Sequence, residues 1–260
     1  MADYILARKS RNIASTMVHV FLNLLLGIGS VLITVLSGSP VLGLILVLVS
    51  KWRVFAVRAR FLVLNLKSNL VDIIVGVSIV LLTYFAGPSF LPVDFILMLI
   101  YCVWLLFIKP LSSENATLIQ SLFAVFLGIS AATIMTANLD AIVITLLAFL
   151  IGYAASRHVL SQTSDKEFTL TTLVCGLVFA EIAWLCHSWN IIYTFGSTGV
   201  RIPQLAVILT IFVFIYNSAR QSMIKYRDDF RFKHILGPFI FGAALIAIIV
   251  LLFSNPIFNI

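Results

Sequence analysis

Long apolar runs separated by short polar segments dominate the chain. Nine such runs are predicted as membrane-spanning helices, at approximately residues 13–36, 40–53, 69–87, 93–108, 117–137, 141–156, 168–189, 203–217 and 235–253. Runs of this kind approach the ~20 apolar residues that a helix needs to cross a bilayer. We therefore predict an all-α, polytopic helical transmembrane bundle that forms a single membrane-embedded domain over residues 1–260.

The second run is the weakest, because only ten apolar residues, Val41 to Ser50, precede Lys51. A run this short is typical either of a span with snorkelling flanks or of a re-entrant segment. If it spans, sixteen of the seventeen Lys and Arg residues lie on one side and only Arg201 on the other. If it re-enters, the division is thirteen to four. Since Lys and Arg accumulate on cytoplasmic segments, the pattern favours nine spans, a cytoplasmic N-terminus and an outside C-terminus.

Composition supports this interpretation and narrows the class of protein. Hydrophobic residues make up 62% of the chain, charged residues 10%, and the mean hydropathy is +1.14. Such a chain is predicted to lie in a cell membrane, plasma or inner. The formal net charge of +7 follows from orientation in the bilayer, so nucleic acid is not a predicted partner.

Glu181 is the only acid deep in a predicted span, with Ser188 on the same helical face. Membrane acids face a cavity, are neutral, or have a partner, because an isolated carboxylate in hydrocarbon costs several kcal/mol. Glu181 is therefore predicted either to form part of a proton- or cation-coupled site or to hold helices together as a hydrogen-bonded residue.

Three further polar residues in the predicted spans are candidates for a site or a helix contact. His19 and Asn23 are one turn apart on a small, polar face of the first span and are predicted to form a helix–helix contact or to line a cavity. Asp72 is one turn into the third span and is predicted to pair with Arg58, Arg60 or Lys67.

Basic residues cluster in the stretch from Lys51 to Lys67 and again after residue 219. They are predicted to set orientation and to contact anionic lipid headgroups on the cytoplasmic face. The candidates for headgroup contact are Lys51, Arg53, Arg58, Arg60, Lys67, Arg220, Lys225, Arg227 and Arg231.

Common catalytic and nucleotide-binding motifs are missing: the chain contains no GxxxxGK[ST], HExxH or GxSxG. We predict no catalytic residues, no metal site and no cofactor. The favoured hypothesis is a non-catalytic membrane component, a scaffold or subunit of a complex with membrane protein partners. The alternatives are a small-molecule or lipid transporter with a cavity around Glu181, His19 and Asn23, and a lipid-modifying membrane enzyme.

Overall fold

The structure, a computed structural model, describes residues 2–87, 91–161, 168–189, 191–195, 198–226 and 233–252, with side chains described from residue 16 onward at most of these positions. It is 85% helix. Its elements are α1 (Ala2–Ser37), α2 (Pro40–Ser50), α3 (Trp52–Phe55), α4 (Ala59–Ala86), α5 (Pro92–Val103), a π turn (Trp104–Ile108), α6 (Glu114–Met135), α7 (Ala141–Leu160), α8 (Phe168–His187), β1 (Ile192–Thr194), β2 (Arg201–Pro203), α9 (Gln204–Lys225) and α10 (Lys233–Leu252).

The predicted helical, membrane-type architecture is confirmed at this level. Six helices are long and apolar enough to cross a membrane: α1, α4, α6, α7, α8 and α9. The other three predicted spans correspond to shorter apolar helices, Pro40–Ser50, Pro92–Ile108 and Ile235–Leu251.

Three helices extend eight or more residues beyond their predicted bounds. Helix α1 begins at Ala2, eleven residues before the predicted start. Helix α4 begins at Ala59, ten residues before the predicted start, and α9 continues to Lys225, eight residues past the predicted end. All three extensions are free of Gly and Pro, so nothing in the sequence breaks the helix. The basic stretch is consequently divided between α3 and the first turns of α4, with a break at residues 56–58.

Helix α6 lies at the centre of the bundle and packs against α4, α7 and α9. Its face of small residues, Ser121, Ala124, Gly128 and Ala132, is buried. A Cβ on Gly128 would lie 2.9 Å from the Ile74 side chain, so the glycine permits close approach of α4. Small residues at helix contacts are the usual means of packing in lipid.

Helices α1, α2 and α5 pack against α4 and form a second group with it. Glycines again set the spacing: a Cβ on Gly76 would lie 2.7 Å from Val47 and 2.9 Å from the Tyr101 hydroxyl. Gly76 therefore lets the side chains of Val47 and Tyr101 approach the α4 backbone closely, around a core that includes Val47, Val75, Ile79 and Tyr101.

A short antiparallel hairpin interrupts the helical architecture before α9. Ile192 pairs with Pro203, Tyr193 with Ile202, and Thr194 with Arg201. The sequence had predicted only a loop here, because three-residue strands leave no alternating pattern to read.

Candidate functional site

A buried ion cluster joins α2, α4 and the end of the π turn. The Lys51 ammonium lies 2.5 Å and the Lys109 ammonium 2.8 Å from Oδ2 of Asp72. The indole Nε1 of Trp104 donates a hydrogen bond to Oδ1 of Asp72, at 3.1 Å. Both carboxylate oxygens are thus occupied, and we call Lys51, Asp72 and Lys109 the Asp72 cluster.

Helix packing brings Lys51 to Asp72. Helices α2 and α4 meet in steps of four residues: Gly43 lies against Val80, Val47 against Gly76, and Lys51 against Asp72. This is the register of an antiparallel helix pair, in which residues four apart share a face.

The π turn brings the other two groups to Asp72. Its defining bond runs from the Lys109 amide to the Trp104 carbonyl, at 2.8 Å. The wider turn places Trp104, which is 1% exposed, and Lys109, five residues later, on the same carboxylate. Single π turns in α-helices often occur where side chains must be positioned for a purpose.

The placement of Lys51 and Asp72 differs from the sequence-based interpretation. Lys51 was a candidate headgroup contact, but it is 5% exposed and paired with Asp72. Asp72 pairs with Lys51 and Lys109 and not with the expected Arg58, Arg60 or Lys67. Arg58 and Arg60 lie at the start of α4, about 20 Å along the helix from Asp72 at ~1.5 Å per residue. Lys67 is nearer along the helix but lies on a different face, five residues before Asp72, and its ammonium contacts the Tyr153 ring on α7.

A second polar cluster lies beside the first, at the start of α6. The Gln120 amide nitrogen donates to the carbonyls of Ile108 and Leu111, at 2.7 and 3.0 Å. Its amide oxygen lies 2.5 Å from Nε2 of His158 on α7. Since an amide oxygen only accepts, His158 must carry its proton on Nε2. Gln120 thus caps the carbonyls left free where the chain leaves the π turn at Lys109-Pro110.

Both clusters are internally satisfied. Among the described residues, the only ion pairs found are the two on Asp72. Asp72 and Lys51 are buried, Lys109 is partly exposed, and the three groups together carry a net charge of +1. The Gln120 amide oxygen and His158 Nε2 are hydrogen-bonded to each other. These groups stabilise the junction of α2, α4, α5, α6 and α7 and do not converge on a shared open space.

The remaining basic candidates lie on the surface or outside the described residues. Arg53, Arg58, Arg60, Lys67 and Lys225 are exposed and Arg220 is half-buried. Arg227 and Arg231 lie outside the described residues. Arg60 stacks on Phe61, and Lys67 lies 6.0 Å from the ring centre of Tyr153 on α7. The exposed members are therefore accessible at the molecular surface.

Glu181 lies on the outer face of the bundle. It is exposed, and the residues that share its face of α8 are exposed and mostly apolar: Leu170, Leu177, Trp184 and Leu185, with Ser188 at the end. The opposite face, with Gly176, Phe179 and Ala183, is buried against α7, the principal neighbour of α8. We call the exposed stripe the outer face of α8.

The three residues assigned to a transport cavity do not converge. His19 is exposed and Asn23 half-buried on α1, which packs against α2, α4 and α5. Glu181 is on α8, which packs against α7 and, to a smaller extent, α9. Ser188, also exposed, donates to the carbonyl of its own helix at Leu185, at 3.3 Å. Within the described part of the chain, no three His, Cys, Asp or Glu side chains are grouped as metal ligands would be.

Comparisons with known proteins give no relative: no family model, no curated protein and no solved structure matches the chain. The class of protein therefore rests on the helices themselves, six of which are long and apolar enough to cross a membrane.

Sequence reasoning missed Lys109, Trp104, Gln120 and His158. Lys109 and His158 lie just past the ends of two predicted spans, 93–108 and 141–156, and were given no role. One signal was present in the sequence: Gly43, Val47 and Lys51 repeat every four residues, as do Asp72, Gly76 and Val80. Aligned antiparallel, the two series place the glycines opposite bulky residues and the lysine opposite the acid.

Proposed function

We propose that this chain is a multi-pass integral membrane protein that acts as a non-catalytic subunit of a larger membrane complex, joined to its partner through the outer face of α8. One observation carries the proposal: Glu181 is exposed on an otherwise apolar membrane helix whose other face is already packed.

The energetic argument starts from the depth of Glu181. It lies thirteen residues from the start of α8, about 20 Å along the axis at ~1.5 Å per residue, and six residues from its end. A carboxylate facing lipid at such a depth is unfavourable by a few kcal/mol, even on the scale that assigns only about 2.5–3.5 kcal/mol to a mid-membrane charge. A partner that donates to Glu181 removes this cost.

The chemistry favours a transmembrane helix of another protein over a second copy of this chain. The partner helix must present Lys, Arg, His or another hydrogen-bond donor at the level of Glu181. In this chain, the only lysine or arginine buried among the described helices is Lys51, which is already paired with Asp72. A second copy therefore offers no buried, unpaired lysine or arginine within the described residues. Its exposed His19 lies only six residues into the predicted first span, short of the depth of Glu181, which is thirteen residues into α8.

The two alternative functions receive less support. A transporter with a cavity around Glu181, His19 and Asn23 requires side chains that converge, and these lie on helices in different parts of the bundle. A lipid-modifying enzyme requires convergent polar groups near the basic stretch. The surface depression described there is lined by Leu48, Val49, Trp52, Phe55 and Ala56, which are apolar.

The proposed topology has nine crossings, with the N-terminus cytoplasmic and the C-terminus outside, in a plasma or inner membrane. The contacts of α2 support a crossing in place of re-entry. Gly43 lies near the end of α4 and Lys51 near its middle, and residues 52–58 then lead to the start of α4 at Ala59. The path from the turn at Gly38 to Ala59 therefore runs the length of α4. Anionic headgroups are the proposed partners of the exposed basic residues.

Site-specific photocrosslinking in native membranes tests the proposed partner. A photoreactive residue replaces Leu177 on the outer face of α8 or, as a matched control, Leu150, which is similarly exposed on α7. We expect one discrete crosslinked protein from position 177 and none from position 150, with loss of the product in Glu181→Leu and its retention in Glu181→Gln.

The identity of the crosslinked helix decides the outcome. A donor side chain on that helix, opposite position 181, supports the proposal, especially if its removal also abolishes the product. A crosslinked product made of two copies of this chain contradicts the proposal that the partner is another protein. Lipid adducts alone at both positions contradict docking at this face.

A further inference from the structure

An apolar cavity of about 210 Å³ lies between α4, α5, α6 and the β-hairpin. Its walls include Leu82, Ala86, Leu97 and Phe126. Apolar cavities of ~150 Å³ stay dry and bind small hydrophobic molecules, so this volume is large enough to hold part of a hydrocarbon chain.

One residue of the cavity wall carries a buried hydroxyl without a partner. The Ser130 side chain lines the cavity, is 3% exposed, and its hydroxyl makes no hydrogen bond within the described structure. Buried hydroxyls are ordinarily hydrogen-bonded, because an unmet one costs about 1–3 kcal/mol. Ser130 is five residues from the end of α6, about 8 Å along the helix at ~1.5 Å per residue. The unmet hydroxyl points to a ligand with a hydrogen-bonding group at this shallow depth.

A cation lies at the same end of the cavity. Arg201 is part of the cavity wall, is exposed, and forms no ion pair with an acid of the described structure. It is also the single Lys or Arg that the charge pattern places on this side of the membrane. The cavity thus combines an apolar interior with a positive charge at the end where the membrane interface is expected.

The hairpin holds Arg201 in this position. Gly199 has φ of +77°, a conformation that favours glycine, and a Cβ there would lie 2.8 Å from Leu91 and 2.9 Å from Val93. The turn is therefore seated closely on the start of α5. Pairing of Arg201 with Thr194 then fixes the backbone of the arginine.

We propose that this cavity binds the acyl chain of an anionic amphiphile, with the chain in the apolar space, the acyl carbonyl at Ser130 and the anionic head at Arg201. In a phospholipid, an ester carbonyl lies just below a phosphate, which matches the order of hydroxyl and guanidinium. A free fatty acid offers the same chain with a carboxylate. This site is independent of the outer face of α8.

Native mass spectrometry of the delipidated protein tests the site against three ligands of equal chain length: dioleoyl phosphatidylglycerol, dioleoyl phosphatidylcholine and oleate. The variants are Arg201→Gln, Ser130→Ala and Ala86→Leu, which fills part of the cavity. The control is Lys225→Gln, the same loss of charge at an exposed residue at the far end of α9.

We expect Arg201→Gln to weaken phosphatidylglycerol binding about fivefold, as for one partly exposed ion pair, and to leave phosphatidylcholine unchanged. Ser130→Ala should weaken both phospholipids, and Lys225→Gln neither. Tight binding of oleate without phosphatidylglycerol would also support the acyl–anion site and would identify a free acid as its ligand.

Equal effects of Arg201→Gln and Lys225→Gln on phosphatidylglycerol binding would overturn the placement of the headgroup at Arg201. Unchanged lipid binding in Ala86→Leu would overturn the placement of the acyl chain in the cavity. Thermal unfolding of each variant is measured in parallel. If Ala86→Leu does not fold, the exposed Arg201→Gln and the conservative Ser130→Ala still test the proposal.

Discussion

Removing the carboxylate of Asp72 should destabilise the protein more than removing either lysine. Asp72→Asn leaves the Lys51 ammonium, 5% exposed, without its counter-charge. Taking one partner from a buried ion pair typically costs about 3–5 kcal/mol of unfolding free energy. Lys109 is 41% exposed and adds little, because a solvated pair contributes about 0–1 kcal/mol. We expect a loss of about 3–5 kcal/mol for Asp72→Asn.

Each lysine variant should lose less unfolding free energy than Asp72→Asn, for a different reason. Lys109→Met should cost at most about 1 kcal/mol, since its ammonium is partly hydrated. Lys51→Met should cost about 1–3 kcal/mol, because Asp72 keeps Lys109 and the Trp104 indole as partners. The double variant Asp72→Asn/Lys51→Met removes both buried charges and should be more stable than Asp72→Asn alone.

Unfolding of the purified protein by sodium dodecyl sulfate in mixed micelles, followed by circular dichroism, measures these differences. The double-mutant cycle isolates the coupling between Lys51 and Asp72. If Asp72→Asn is no less stable than Lys109→Met, or if the double variant is less stable than Asp72→Asn, the buried ion pair is not what holds α2 to α4.

Three further predictions concern packing, capping and topology. Gly152→Ala should cost about 1–3 kcal/mol, because its Cβ would lie 2.5 Å from the Phe179 ring, whereas Gly237→Ala, which meets nothing within 4 Å, should be neutral or stabilising in the same thermal-unfolding assay. Gln120→Leu should cost about 1–3 kcal/mol by leaving the carbonyls of the π turn unpaired, and hydrogen exchange should rise at residues 108–111. Cysteines at positions 39 and 112 should be labelled from opposite sides of the membrane by an impermeant maleimide; labelling from one side would contradict a crossing by α2.

The class of the fold was predictable because its signal, a series of long apolar runs, extends over many residues and has one physical cause. Twenty-residue apolar runs leave a membrane helix as nearly the only structure that satisfies its own backbone in lipid. The small face of α6 was readable for a related reason, since close packing in lipid requires small residues at regular spacing. The start of α4 was not predicted, because Arg60 and Lys67 were assigned to a basic segment outside the span although the residues between them are mostly apolar.

The Asp72 cluster shows why contacts are harder to predict than elements. Asp72 was assigned to cations nearby in sequence, whereas its partners come from α2 and from the end of the π turn. The π turn itself carries no known sequence signal, so the convergence of Trp104 and Lys109 was not predictable. Glu181 was identified from sequence, but whether it faced the core or the outside depended on which neighbours α8 acquired.

Photolabelling from the lipid phase tests most directly whether the outer face of α8 is covered in its native setting. A membrane-soluble carbene reagent is applied to native membranes and to the purified chain reconstituted alone, and labelling of the residues around Glu181 is measured by mass spectrometry. Leu150 on α7, also exposed, is the internal reference. We predict weak labelling of α8 in native membranes, strong labelling after reconstitution, and equal labelling of Leu150 in both. Equally strong labelling of α8 in the two preparations would contradict a partner at this face.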